Sequence, residues 1–244
     1  MEQITLEQQD VHLWLARHDS ALDSDQYKRR VLGRYGAGGA QSIAFERGAH
    51  GKPALCRTTP ARPALQFNLS HSGDWRVLAV AASAPLGVDL QTTVTRQDEM
   101  KLARRFFSPR EVQALQGLPV EQRAGRFYDL WVLKEAAVKA RGEALPPQLS
   151  RRCFSFVPRG PPAPAWTLRA CEGSHPDTAH PDTAHYALYE PLSAYRLALC
   201  WLGTPDVAPR VSLFREAQVG QSATWPGARA PLPAPLAASH LQRC

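Results

Sequence analysis

Residues 131–139 read Trp131-Val132-Leu133-Lys134-Glu135-Ala136-Ala137-Val138-Lys139. They end the clearest helix in the chain, predicted over residues 121–141. Phe127, Leu130, Trp131 and Val138 supply its apolar stripe, and Gly142 is placed to stop it. Glu135 and Lys139 stand at i and i+4, so they share one helix face. Taken alone they read as a surface ion pair worth roughly 0.3–0.5 kcal/mol.

Upstream, Ser108-Pro109-Arg110-Glu111 is a helix start. Ser108 would be the N-cap, Pro109 the first helical residue and Glu111 the reciprocal partner in a capping box. Asp98–Phe107 is helical by pattern. Leu86–Leu90 is a short strand, overlapping Gly87-Val88-Asp89-Leu90-Gln91. Residues i and i+2 of a strand share a face, so Asp89 and Gln91 point one way while Val88 and Leu90 enter the core. An acid in such company is costly to bury unless it meets a cation or a hydrogen-bond donor.

Further upstream, Phe67–Leu69 and Val77–Ala82 flank Ser70-His71-Ser72-Gly73-Asp74, which reads as strand, tight connection, strand. A histidine between two serines in a connection is commonly a turn residue. The same three side chains can each donate a hydrogen bond to a phosphate. Gly51-Lys52-Pro53 is a turn. Val11–Ala16 is a strand, Asp23–Tyr35 a short basic helix stopped by the glycine-rich run at 36–39, and Ile43–Arg47 a short strand. Phe154–Val157, Trp166–Arg169, His185–Tyr189 and Tyr195–Trp201 are later strands. Residues 175–185, HPDTAHPDTAH, are a tandem duplication. From Gly203 onward the chain is rich in Pro, Ala and Gly, and reads as a disordered tail. Strands and helices without regular alternation indicate an α+β fold.

Bulk properties narrow the class. The 244 residues are 44% hydrophobic and 21% charged, enough to bury a core and unlike a disordered chain. Residues 1–10 are polar, so no secretory leader is expected there, and no stretch has the length of a bilayer span. The cysteines at 56, 153, 171, 200 and 244 are odd in number and irregular in spacing. They read as reduced thiols of a cytoplasmic protein. The net charge is +7, and residues 96–159 hold 13 Lys and Arg against 7 Asp and Glu. Such an excess attracts an acidic protein or a polyphosphate.

The order of these pieces is more specific than any one of them. G-K-P at 51–53, F-N-L-S-H-S at 67–72, G-V-D-L-Q at 87–91, R-F-F-S-x-x-E at 105–111 and W-x-x-K-E-A-x-x-K at 131–139 resemble the two-half phosphopantetheinyl transferases of the surfactin-synthetase-activating type. The resemblance covers residues 51–157 well and the strands to Trp201 loosely. It implies two similar α/β halves about a pseudo-twofold axis: residues 1–82, an abbreviated first half; 83–202, the half with the metal site; then the tail, 203–244. It also implies transfer of 4′-phosphopantetheine from coenzyme A to a serine of an apo acyl- or peptidyl-carrier protein by a monomer that uses magnesium. By the same resemblance Asp89 and Glu135 are metal ligands, with Gln91 a weak or water-mediated third. Glu135 is the base, and Lys139 stabilises the pyrophosphate. His71 and Ser70 grip phosphate oxygens, and Lys52 contacts the nucleotide phosphates. Glu111 lies near the active site in addition to its capping role.

Two features depart from that pattern. Gln91 stands where many relatives have glutamate. Only Lys28, Arg29, Arg30 and Arg34 represent a longer basic helical stretch after the first strand. These departures motivate an alternative, a non-catalytic binder of carrier protein or coenzyme A, against which the complete set of Asp89, Glu135, Lys139 and His71 argues. Nucleic-acid binding is a weaker alternative, because no recognised motif or aromatic–basic interleaving accompanies the charge. Zinc at His175, His180 and His185 fits neither a helix nor a strand face. A neutral amide binds a hard cation less strongly than a carboxylate. Gln91→Glu is therefore expected to lower the magnesium concentration giving half-maximal transfer rate; a titration showing an unchanged or higher requirement contradicts this.

Overall fold

The strands at 10–17, 75–81, 86–92, 185–189 and 195–201 bury both faces, which is why they read as apolar runs and not as simple alternation. The computed structural model of the protein describes residues 4–18, 22–36, 39–48, 51–56, 65–82, 84–94, 98–144, 149–158, 166–172, 184–204, 207–215, 229–230 and 237–238. The chain runs β1 (Asp10–Arg17), α1 (Ser24–Leu32), β2 (Phe45–Arg47), β3 (Pro53–Leu55), β4 (Gln66–Ser72), β5 (Trp75–Ala81) and β6 (Leu86–Thr92). Then follow α2 (Glu99–Phe106), α3 (Pro109–Gln116), α4 (Val120–Arg141), β7 (Arg152–Pro158), β8 (Trp166–Glu172), β9 (His185–Tyr189) and β10 (Tyr195–Trp201). β11 (Arg210–Arg215), β12 (Arg229–Ala230) and β13 (Ala237–Ala238) complete it.

One sheet has the order β12-β11-β1-β5-β4 and a second the order β6-β10-β9-β13-β8-β7, with β2 and β3 forming a separate pair. Val11, Leu13 and Leu15 of β1 and Val77, Ala79 and Ala81 of β5 share a core with Val88 and Leu90 of β6 and Leu197, Leu199 and Trp201 of β10. The two sheets thus face one another across this layer. The other faces carry helices. Trp14, Leu78 and Val80 pack with Tyr27, Val31 and Leu32 of α1. Ala198 and Cys200 of β10 pack with Leu133, Ala136, Ala137 and Ala140 of α4.

The local signals act where they were expected. Ser108 accepts the Glu111 N–H at 3.3 Å while the Glu111 carboxylate accepts the Ser108 N–H at 2.8 Å, closing the capping box. α4 stops at Gly142, whose φ of 64° is the left-handed conformation that glycine adopts cheaply. Val88 and Leu90 are buried in the inter-sheet core, as the two-residue period requires.

Two expectations change. The Ser70–Asp74 connection is shorter than predicted, because β4 continues through Ser72 and only Gly73 and Asp74 turn. Gly73 has a φ of 53°, which a two-residue hairpin turn demands. The tail is also not disordered throughout. Arg210–Arg215 is a strand parallel to β1, in register Asp10 with Arg210, and its Leu213 is buried in the inter-sheet core. It covers an edge of β1 that would otherwise expose unpaired backbone. Two-residue strands at 229–230 and 237–238 pair as well. Residues 205–206, 216–228, 231–236 and 239–244 of the tail, and His175 and His180 of the duplication, lie outside the described residues. His185 is described, and is buried in β9.

Gly87 explains how closely α4 can lie on β6. A Cβ there would sit 2.1 Å from the Ala136 carbonyl oxygen and 2.4 Å from the Ala140 nitrogen, both rigid helix backbone. Gly125, also in α4, has nothing within 4 Å of its notional Cβ. The two glycines should respond oppositely to alanine. Gly87→Ala is expected to destabilise by at least the ~1–3 kcal/mol of an overpacked core, and Gly125→Ala to stabilise by up to ~1 kcal/mol, both read from urea denaturation midpoints.

Candidate functional site

β6 lies at the edge of its sheet, next to β4 at the edge of the other. The N–H groups of Val88, Leu90 and Thr92 are accepted by Asn68 Oδ1 at 2.8 Å, Ser70 Oγ at 3.1 Å and Ser72 Oγ at 3.0 Å. Every second residue of β4 thus stitches to every second residue of β6. Asp89 sits within this seam, 4% exposed, on the face of β6 that meets α4.

Asp89 Oδ1 accepts a hydrogen bond from Ser70 Oγ at 2.7 Å and one from Lys139 Nζ at 2.5 Å. The same ammonium lies 3.2 Å from Glu135 Oε2 and 3.4 Å from Ser70 Oγ. Glu135 and Lys139 are therefore not a solvated surface pair: one turn of α4 delivers both to the buried aspartate. Burial, and after it the Asp89 charge, push the Glu135 carboxyl above the usual range, with Lys139 opposing. Burial alone would depress the Lys139 ammonium, but Asp89 and Glu135 together outweigh it and raise its pKa.

Asp89 Oδ2 is buried without a hydrogen-bond partner. A buried, unanswered carboxylate oxygen is unfavourable unless a cation or donor meets it. Two carboxylates against one ammonium leave a net negative charge in a partly desolvated pocket. This donor set fits a hard, oxygen-seeking cation such as magnesium, which keeps several water ligands and needs only one or two carboxylates. Among the described residues no three His, Cys, Asp or Glu side chains come together as a metal cluster; Asp89 and Glu135 are the two carboxylates that meet at Lys139. The half-buried Gln91 shares the Asp89 face, and its Nε2 donates a long hydrogen bond, 3.5 Å, to the Thr92 carbonyl.

The other expected residues are placed differently. His71 follows Ser70 on β4 and therefore points to the opposite face. It is exposed and stacks on His18 with ring centroids 5.0 Å apart, away from the carboxylates. Lys52 donates to the carbonyls of Leu86 at 3.1 Å and Ala140 at 3.0 Å, clamping the end of α4 to the start of β6. Burial lowers its pKa to about 8. Lys28 pairs with Asp25 and lies over Phe45, Arg29 reaches the Ile43 carbonyl, and Arg34 covers Trp14. These cations are used within the first sheet's own helix layer.

Glu111 is 2% exposed and serves packing. Beyond the capping box it accepts the Phe154 N–H at 2.8 Å and pairs with Lys134 Nζ at 2.7 Å. Lys134 donates in addition to the Leu149 carbonyl at 2.8 Å and to that of Arg152. Its burial lowers its pKa, opposed by Glu111. Lys134 is a fixed position of the W-x-x-K-E-A-x-x-K motif, but its partner Glu111, 23 residues upstream, could not be read from that motif.

The sequence has known relatives. The family model described as the 4′-phosphopantetheinyl transferase superfamily matches residues 85–200, which hold the Asp89, Glu135 and Lys139 cluster. A second, described as 4′-phosphopantetheinyl transferase, N-terminal, matches residues 7–83. The chain belongs to the 4′-phosphopantetheinyl transferase superfamily. Among its relatives, 4′-phosphopantetheinyl transferase HetI of Nostoc sp. is 36% identical over 144 residues, 57% of this chain and 60% of the relative. 4′-phosphopantetheinyl transferase psf-1 of Bacillus pumilus is 36% identical over 160 residues, 66% of this chain and 61% of the relative. 4′-phosphopantetheinyl transferase Sfp of Bacillus subtilis is 33% identical over 124 residues, covering 51% and 52%. The chain thus spans about half to three-fifths of the length of these curated relatives.

The Glu111–Lys134 pair is a structural element of this fold, and its removal has a defined signature. Lys134→Met strands a buried carboxylate and is expected to cost about 3–5 kcal/mol. In a Glu111→Gln background the same change should cost much less, because no charge is left unpaired. A denaturation double-mutant cycle that shows simple additivity contradicts the pairing.

Proposed function

We propose that this protein transfers the 4′-phosphopantetheine arm of coenzyme A to a serine of an apo acyl- or peptidyl-carrier protein. The observation that carries the reading is the buried Asp89, held by Lys139, with Glu135 beside it and Oδ2 left unanswered. Asp89 and Glu135 would hold magnesium, with Gln91 in reach directly or through a water. Bound there, magnesium would neutralise pyrophosphate charge, the main requirement of phosphoryl-type transfer.

The remaining chemistry falls to side chains. The carrier serine hydroxyl attacks the β-phosphorus of coenzyme A, and the bond to the bridging oxygen breaks. Adenosine 3′,5′-bisphosphate leaves. Glu135 accepts the serine proton, directly or through a water; burial has raised its proton affinity toward that task. Lys139, already charged and close to both carboxylates, stabilises the pyrophosphate oxygens. The exposed His71 is open to a phosphate from solvent. Lys52 retains one donor beyond its two carbonyl bonds for the nucleotide phosphates.

The two-half, pseudo-twofold description, a monomeric state and a cytoplasmic location belong to the same reading. No disulfide joins Cys56, Cys153 or Cys200, which suits a reducing compartment. No described helix is long and apolar enough to cross a membrane. The basic 96–159 segment suits an acidic carrier. The test incubates the protein with an apo-carrier protein, coenzyme A and magnesium and reads the carrier mass. A gain of one phosphopantetheine, abolished by EDTA and in Asp89→Ala and Glu135→Ala, is expected. A folded protein that modifies none of several carriers supports the non-catalytic alternative instead.

A further inference from the structure

The sequence pattern marks Ser70 as a phosphate contact, but its hydroxyl is fully used inside the protein. Ser70 is 6% exposed. A hydroxyl has one proton and two lone pairs. The proton goes to Asp89 Oδ1 at 2.7 Å. The lone pairs meet the Leu90 N–H at 3.1 Å and Lys139 Nζ at 3.4 Å. Nothing remains for a phosphate oxygen. Asn68 and Ser72, two residues to either side, make the equivalent backbone bonds to β6. Among the three, Ser70 is joined in addition to the carboxylate of Asp89.

We propose that Ser70 is a positioning residue for the cation site: it fixes the Asp89 carboxylate so that Oδ1 is held within the protein and Oδ2 is presented to the metal. The inference rests on the reading of Asp89 as a magnesium ligand. The terminal torsion of an aspartate is broad. A donor on one oxygen, itself locked by a backbone N–H, selects one orientation. Partners that orient a metal ligand in this way typically change metal affinity by about 10–100-fold when removed. A phosphate contact would instead act on coenzyme A and leave the bare metal site unchanged.

Manganese serves as the probe, since it shares magnesium's preference for octahedral oxygen ligands. The free manganese signal in electron paramagnetic resonance is titrated with the whole protein, without coenzyme A or carrier. Ser70→Ala is expected to weaken manganese binding by about 10–100-fold, Ser70→Thr to restore it, and Ser70→Cys, close in size but a weak donor, to fall between. Ser72→Ala removes a comparable backbone bond and should lower thermal stability while leaving manganese binding unchanged. The KM for coenzyme A at saturating magnesium should be little altered in Ser70→Ala. Equal manganese binding by Ser70→Ala and wild type overturns the inference, as does an equal loss in Ser72→Ala, which would make the effect merely structural. A higher coenzyme A KM with an unchanged manganese Kd returns Ser70 to phosphate binding. A wild-type protein with no saturable manganese site overturns the metal reading of Asp89 and this inference with it.

Discussion

β6 is an edge strand, and three of its N–H groups have no strand to receive them. Buried backbone donors must be answered. Here side chains do it, Asn68 for Val88, Ser70 for Leu90 and Ser72 for Thr92. Because the acceptors recur every second residue on β4, they match a second strand in one register only. A slip of one residue would turn Phe67, Leu69 and His71 toward β6 and leave the donors unpaired. The seam therefore fixes one sheet against the other, and with them the depth at which Asp89 lies. Gly87 then sets the approach of α4, whose backbone would collide with any side chain there.

α4 carries one lysine, Lys134, into a buried position and another, Lys139, into a half-buried one, and they behave differently. Lys134 has three donors and three acceptors: Glu111 and the carbonyls of Leu149 and Arg152. That group is closed, with no capacity left for a ligand. Lys139 meets two carboxylates and a serine, and one carboxylate oxygen remains unanswered. A closed group of charges favours structure; an open one favours binding. The distinction separates two lysines that lie five residues apart on the same helix.

Local signals explain what the sequence made legible. The span of α4, its stop at Gly142, the Ser108–Glu111 box and the inward Val88 and Leu90 all depend on neighbours close in sequence. So does the pairing of Glu135 with Lys139. What the sequence withheld depends on partners far along the chain. Asp89 lies fifty residues from Lys139, and only that contact ties the helix pair to a buried carboxylate. The serines of β4 looked like phosphate ligands because a hydroxyl's partner cannot be read from its neighbours. Lys52, a nucleotide-phosphate contact by family resemblance, also joins Leu86 to Ala140, and those distant partners cannot be read from its neighbours. β11 was hidden by the proline- and alanine-rich residues around it, which masked the short run Val211-Ser212-Leu213-Phe214.

Charge ties these features to the proposed chemistry. Asp89, Glu135 and Lys139 leave one net negative charge, with Gln91 contributing none. A divalent cation alone would reverse that sign in a partly desolvated pocket, and a pyrophosphate alone would meet repelling carboxylates. Bound together, cation and pyrophosphate nearly cancel, so each favours the other's entry. A glutamate at position 91 would shift this balance toward the metal. Glutamine adds no such charge, so it leaves that balance as Asp89, Glu135 and Lys139 set it.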